Sequence, residues 1–141
     1  MSGMAAFPAW SADVLTRTEL ALDALLPRPT DAGSGALSRL HDAMRYAVLE
    51  GGKRVRPLLA HAAGELTGAP PAALERAGCA VELIHAYSLV HDDMPCMDDD
   101  VLRRGKPTVH VAYGEALAML VGDALQALAF RAVAEAGASG V

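Results

Sequence analysis

The chain has 141 residues, 52% of them hydrophobic, 21% charged and only 4% aromatic. So apolar a chain can bury a core, which excludes a disordered segment, and a formal charge of -5 argues against a general affinity for nucleic acid. Ala and Leu supply about a third of the residues, which favours close-packed helices over a sandwich or barrel.

Five helices are predicted, separated by Pro and Gly. The first spans about Ser11 to Leu26, with Ser11 as cap, a stripe of Val14, Leu15, Leu22, Leu25 and Leu26, and Pro27 and Pro29 closing it. A linker, Arg28 to Gly35, follows. The second helix, about Ala36 to Leu49, presents Leu37, Leu40, Met44, Ala47 and Val48, and Gly51 and Gly52 suit a left-handed C-cap. Pro57 suits the first turn of a third helix that runs to about Leu66. Pro70 and Pro71 open the fourth, about Ala72 to Asp93, and Pro95 should end it. A polar segment without a convincing strand, Cys96 to Thr108, leads to the fifth, about Val109 to Ala136, with Leu117, Leu120, Val121, Ala124, Leu125 and Leu128 as its apolar set. The fold reads as all-α. The fourth and fifth helices are apolar nearly all round, which belongs in the middle of a larger bundle. Five helices, two of which want neighbours on every side, read as an incomplete domain.

No N-terminal targeting pattern stands out, and the apolar run Ala116 to Val121 is broken by Gly122 and Asp123, short of the ~20 residues that span a bilayer. A soluble protein is expected. Cys79 and Cys96 are spaced for neither a disulfide framework nor a zinc knuckle, so reduced thiols in the cytoplasm are the economical reading.

The strongest chemical signal is DDMPCMDDD, Asp92 to Asp100, with five carboxylates among nine residues after an apolar helix. Crowded carboxylates repel until a divalent cation neutralises them, and an all-oxygen set suits Mg²⁺, which takes one or two carboxylates plus phosphate oxygens. A solvated acidic loop is the plain alternative; an EF-hand lacks its central glycine and its final Glu. Val81, His85, Ser88 and Asp92 follow 4, 3, 4 spacing and share one helix face. His85, roughly 10 Å below Asp92 on that face, is a candidate for substrate contact; a satisfied core histidine is the plain alternative. Upstream, GGKRVRP offers two glycines, three cations and a helix start, suited to gripping phosphate with Lys53 and Arg56; a capped helix end with a basic turn is the plain alternative. Downstream, RRGKPT places Arg103 and Arg104 beside the acidic cluster, either balancing its charge or sharing an anionic ligand with its metal.

Leu83 to Thr108, LIHAYSLVHDDMPCMDDDVLRRGKPT, resembles the first aspartate-rich region of the trans-prenyl (polyprenyl) diphosphate synthases, and is very similar to that of bacterial farnesyl diphosphate synthases. GGKRVRP and the helix GEALAMLVGDALQALAF, Gly114 to Phe130, match the same family, so the likeness covers roughly Ala36 to Ala136. The resemblance implies an all-α isoprenoid-synthase bundle around a deep cavity, usually a homodimer. It implies Asp92, Asp93 and Asp98 as the catalytic, Mg²⁺-binding carboxylates, with Asp92 and Asp98 the principal ligands. Arg103 would contact the allylic diphosphate, and Lys53, Arg56, His85 and Arg104 would bind isopentenyl diphosphate. Tyr87 and Ser88 correspond to the floor of the chain-growth cavity, which implies a short product, farnesyl diphosphate first and geranylgeranyl diphosphate second. Family members are roughly twice this length and carry a second aspartate-rich motif that does not occur here. Residues 1–141 are thus expected to be the N-terminal part of one domain, inactive alone. The competing expectation is a non-catalytic helical partner of a full-length synthase; a terpene cyclase fits less well, having no isopentenyl diphosphate for GGKRVRP to hold.

Overall fold

A computed structural model describes residues 3–32, 35–49 and 51–137. Among these residues six α-helices follow one another: α1 (Gly3–Leu25), α2 (Ala36–Val48), α3 (Val55–Leu66), α4 (Pro71–Asp92), α5 (Val109–Tyr113) and α6 (Glu115–Gly137). A 3-10 turn, Pro29–Ala32, links α1 to α2, and two short strands, β1 (Leu102–Arg103) and β2 (Lys106–Pro107), form an antiparallel hairpin. The fold is all-α apart from that hairpin.

The apolar stripes decide the packing. α4 is central, lying along α6 and against α3, with α1 and α2 across it. Leu83, Ala86 and Val90 of α4 meet Val121, Leu125 and Leu128 of α6 and Met44 and Val48 of α2 in one buried cluster. Small residues at Gly78, Cys79 and Ala80 let helices approach α4 closely. By length and composition α6 could cross a membrane, where the sequence predicted no such segment. It packs along α4 instead, burying Ala118, Val121, Gly122, Leu125, Leu128, Ala129 and Ala132 on one side. Its other side leaves Met119, Leu120, Phe130 and Val133 exposed, as do Leu59 of α3 and Val81 of α4.

Several local expectations are corrected. α1 begins at Gly3, and Ser11 lies inside it, where its hydroxyl donates to the Pro8 carbonyl instead of capping. α2 ends at extended Leu49 rather than at a left-handed glycine, and Leu37 is exposed. The last predicted helix is two, because Gly114 adopts φ 93° between α5 and α6. Leu120, assigned to its apolar set, is exposed. The polar segment 96–108 contains the hairpin where no strand was expected: Arg104 (φ 52°) and Gly105 (φ 76°) form its left-handed two-residue turn.

One buried group gives the fold a pH dependence. His61 of α3 is fully buried against Gly78, and neither ring nitrogen has a hydrogen-bond partner among the described residues. Burial, then the Arg17 charge from α1, push its pKa below the ordinary value, while Glu65, Glu75 and Asp13 pull less strongly the other way. A histidine depressed in the folded state contributes stability that is complete above the unfolded value of about 6.5 and is lost as pH falls below it. His61→Leu should therefore leave stability at pH 7.5 equal or raised by about 1 kcal/mol. Its melting temperature should also fall less than that of the wild type between pH 6.5 and 5. Parallel melting curves across that range would remove His61 from the acid response.

Candidate functional site

The acidic loop is a compact extension of α4. The last turn of a helix leaves carbonyls without intrahelical partners. Here the chain folds back to supply them: the Asp98 N–H donates to the Asp92 carbonyl at 2.8 Å and the Asp100 N–H to the Asp93 carbonyl at 3.0 Å. Buried Met94 anchors the turn, and Asp99 takes φ 53° within it. Asp92 and Asp98 are thereby joined through the backbone, both with exposed side chains.

Asp93 points elsewhere. Its buried carboxylate accepts two hydrogen bonds from Arg103, Nε to Oδ2 at 2.8 Å and Nη2 to Oδ1 at 2.7 Å. The hydrogen bonds to Asp93 raise the Arg103 pKa, and the guanidinium keeps Nη1 outside the pair. The hairpin that carries Arg103 is tied down at both ends. Thr108 donates its hydroxyl to the Asp100 carbonyl at 2.8 Å, and Tyr46 donates to the Pro107 carbonyl at 2.7 Å. The Lys106 ammonium lies 4.5 Å from the Tyr46 ring centroid.

Lys53, Arg56, His85 and Arg104 line one pocket of about 300 Å³ between the start of α3, α4 and the hairpin. None of the three cations has an acidic partner among the described residues, and Glu82, the one carboxylate in the lining, is paired with Arg54, so the pocket is positive. Burial, then Arg56, with Arg104 and Arg103 adding to it against Glu82, lower the His85 pKa and keep its ring neutral near pH 7. Arg54, the middle cation of GGKRVRP, lines the same pocket, as does Glu82, but its charge is already paired. It is buried and bonded to Glu19, Glu82 and the Val48 carbonyl.

An apolar groove of about 720 Å³ adjoins the pocket. Leu59, Ala60, Val81, Ile84 and Phe130 form its walls, with Ser88 among them. Arg56 and His85 line both cavities. Tyr87 is not in the wall; its ring packs edge-on against His91, centroids 5.7 Å apart. Sequence reasoning passed over His91, whose Nε2 lies 3.0 Å from the Met119 carbonyl. It fills a notch at Gly122, where any Cβ would come within 1.9 Å of that nitrogen. A glycine in the middle of an apolar helix was the available signal.

The donor set suits Mg²⁺. Among the described residues no three His, Cys, Asp or Glu side chains gather to hold an ion alone. Mg²⁺ does not require that, since it takes one or two carboxylates and completes its shell with water and phosphate oxygens. Asp92 and Asp98 provide such a pair beside a positive pocket.

Comparison with known proteins places these features in a family. Residues 37–140 match the model of the polyprenyl synthetase family. A probable farnesyl diphosphate synthase of Bradyrhizobium diazoefficiens is 53% identical over 131 residues, which are 93% of this chain and 38% of that protein. The large subunit of a heterodimeric geranylgeranyl pyrophosphate synthase of Arabidopsis thaliana is 50% identical over 91% of this chain and 34% of its own length. Among solved structures, an FPP/GFPP synthase from Zymomonas mobilis superposes with a TM-score of 0.81 at 50% identity, covering 89% of this chain and 44% of that one. The fold is the all-α isoprenoid-synthase bundle, here with fewer helices than the whole, and the chain spans about two fifths of the length of these relatives. With its acidic loop, its basic pocket and this fold, the chain belongs to the polyprenyl synthetase family.

Proposed function

We propose that the protein carrying this chain condenses isopentenyl diphosphate with an allylic diphosphate, and that residues 1–141 are the N-terminal part of its single domain. One observation carries the reading: Arg56 and His85 line both the positive pocket and the apolar groove. A ligand with a diphosphate head and a hydrocarbon tail fits that junction. Lys53, Arg56 and Arg104 grip the isopentenyl diphosphate by charge-assisted hydrogen bonds, and neutral His85 adds a ring N–H. The Arg103 nitrogen left outside the Asp93 pair is available to the allylic diphosphate. Mg²⁺ held by Asp92 and Asp98 would neutralise that diphosphate as a leaving group. In the reaction the allylic C–O bond breaks and its electron pair leaves with diphosphate. The isopentenyl double bond then forms the new C–C bond, and the proton lost from the adduct passes to the departed diphosphate. Apolar walls keep water from the allylic cation.

The test is a chimera in which this chain replaces the matching N-terminal segment of the Bradyrhizobium relative. Mg²⁺-dependent consumption of isopentenyl and geranyl diphosphates by the folded chimera is expected, and none by the 141-residue chain alone. A folded chimera without turnover would favour the reading as a non-catalytic partner. Full-length protein is read as a cytoplasmic homodimer. Burial pushes the Cys79 thiol up to about 12, and both cysteines are unpaired, as suits a reducing compartment.

The product reading is farnesyl diphosphate, although the relatives include farnesyl and geranylgeranyl synthases alike. Ser88, in the groove wall four residues before Asp92, supports a role as the floor, while Tyr87 would act through its packing on His91. Ser88→Phe in the chimera should shorten the product, because a ring there fills the groove. Tyr87→Ala should lengthen it. Unchanged product from both variants would move the floor to other residues.

A further inference from the structure

The two glycines before the basic segment were expected to cap α2, and they do not. Their position is explained instead by a side chain about fifty residues away. Arg104 occupies the hairpin turn, with its backbone fixed by the I′ geometry and by the anchors on either side. Its side chain crosses to residues 51–52 and lies over their backbone. A Cβ added to Gly51 would stand 3.0 Å from Arg104 Nη1 and 3.2 Å from its Cδ. One added to Gly52 would stand 3.0 Å from Nη2 and 3.2 Å from Cζ. Both ends of the guanidinium therefore touch the space that two missing side chains leave. Arg104 has no ion pair among the described residues, so that surface, and not an acidic partner, sets where the charge sits.

We propose that Gly51 and Gly52 form a seat that positions the Arg104 guanidinium in the diphosphate pocket, which makes Gly51 a positioning residue for ligand binding that acts through Arg104. The inference rests on the proposed function, since it takes the pocket of Lys53, Arg56 and Arg104 to be a diphosphate site. A free arginine on a turn samples many rotamers, and fixing it on binding costs side-chain entropy. A seat formed by bare backbone removes part of that cost before the ligand arrives. It also links the acidic loop and its hairpin to the α2–α3 connection, so both walls of the pocket meet at one guanidinium.

Gly51 is the position to test. Gly52 has φ 97°, where any L side chain is strained, so its replacement mixes backbone strain with displacement. Gly51 carries no such restriction, and Gly51→Ala adds one methyl group against the mobile end of a side chain. Two measurements on the chimera with the Bradyrhizobium relative decide the matter, with circular dichroism confirming helicity for each variant. The first is the Arg104 Nε–Hε NMR signal, expected to be dispersed and ordered in the wild type and averaged in Gly51→Ala. The second is a binding cycle by calorimetry with inorganic pyrophosphate as the probe. Arg104→Ala should weaken binding about 10- to 100-fold, and Gly51→Ala about 3- to 10-fold. In the double variant binding should be no weaker than in Arg104→Ala alone. An unchanged Arg104 signal, unchanged binding in Gly51→Ala, or losses that multiply in the double variant would overturn the seat. Pyrophosphate binding absent from the wild type or indifferent to Arg104 would instead overturn the diphosphate reading, and with it the functional consequence of the seat; the NMR comparison would still decide whether the seat exists.

Discussion

Replacing Asp92 or Asp98 with alanine in the chimera with the Bradyrhizobium relative is expected to lower kcat by about 100-fold or more. The KM for isopentenyl diphosphate should change little. The split follows from the geometry. The two carboxylates sit on the exposed end of α4, joined by the Asp98 N–H to Asp92 carbonyl bond, where they can hold an ion against a leaving group. In the proposed function isopentenyl diphosphate would be held elsewhere, in the pocket of Lys53 and Arg56. A cation held by Asp92 and Asp98 would stabilise the negative charge that develops as the allylic C–O bond breaks, so their loss should appear mainly in kcat. Lys53→Ala or Arg56→Ala removes binding that ground state and transition state share, and should raise that KM about 10- to 100-fold. Steady-state kinetics on the four variants with both substrates varied would check the division. Unchanged kcat in Asp92→Ala would remove the metal assignment, whatever the lysine and arginine variants did.

How much of this was legible beforehand depended on the range of the interaction. The acidic loop could be read because its chemistry lies in five neighbouring carboxylates, and the groove wall because Val81, His85 and Ser88 recur at helical spacing. The apolar character of α4 and α6 on most sides likewise foretold a bundle with exposed apolar residues such as Phe130 and Val133. The helix phases held, but Leu37 and Leu120 lie on those stripes and have no covering neighbour among the described residues. GGKRVRP was read as glycine cap plus phosphate grip, and the structure divides it into three parts. The glycines serve Arg104, Lys53 and Arg56 face the pocket, and Arg54 turns inward to Glu19 and Glu82. Nothing local distinguishes Arg54 from its neighbours. Its partners lie 35 and 28 residues away, and only the fold brings them together. Asp93 differs from Asp92 for the same reason, because its partner comes from a hairpin that periodicity could not predict.

That division sets up the largest expected effect on stability. The Arg54 side chain is 3% exposed and pairs with Glu82, which is 4% exposed, at 3.1 Å, and with Glu19 at 2.5 Å. Its Nη2 also donates to the Val48 carbonyl at 2.7 Å, so one guanidinium joins α1, α4 and the end of α2. Burial works against its charge, and the hydrogen bonds and charges of Glu19 and Glu82 outweigh it, leaving the Arg54 pKa above its ordinary value. Arg54→Ala should cost about 3–5 kcal/mol, most of it from leaving Glu82 buried without its cation. Arg54 also holds φ 50°, a conformation that disfavours a side chain by about 1–2 kcal/mol, so Arg54→Gly should be milder than Arg54→Ala by about that amount. The double variant Arg54→Met with Glu82→Leu should recover much of the loss, because it removes the orphaned charge as well as its partner. Lys53→Ala, one residue away on the exposed side, should change stability by less than about 0.5 kcal/mol. Urea titrations of the four variants separate these outcomes through their midpoints. An Arg54→Ala chain as stable as Lys53→Ala would mean that the helices hold together without the buried pair. The inward turn of the middle cation would then require another explanation.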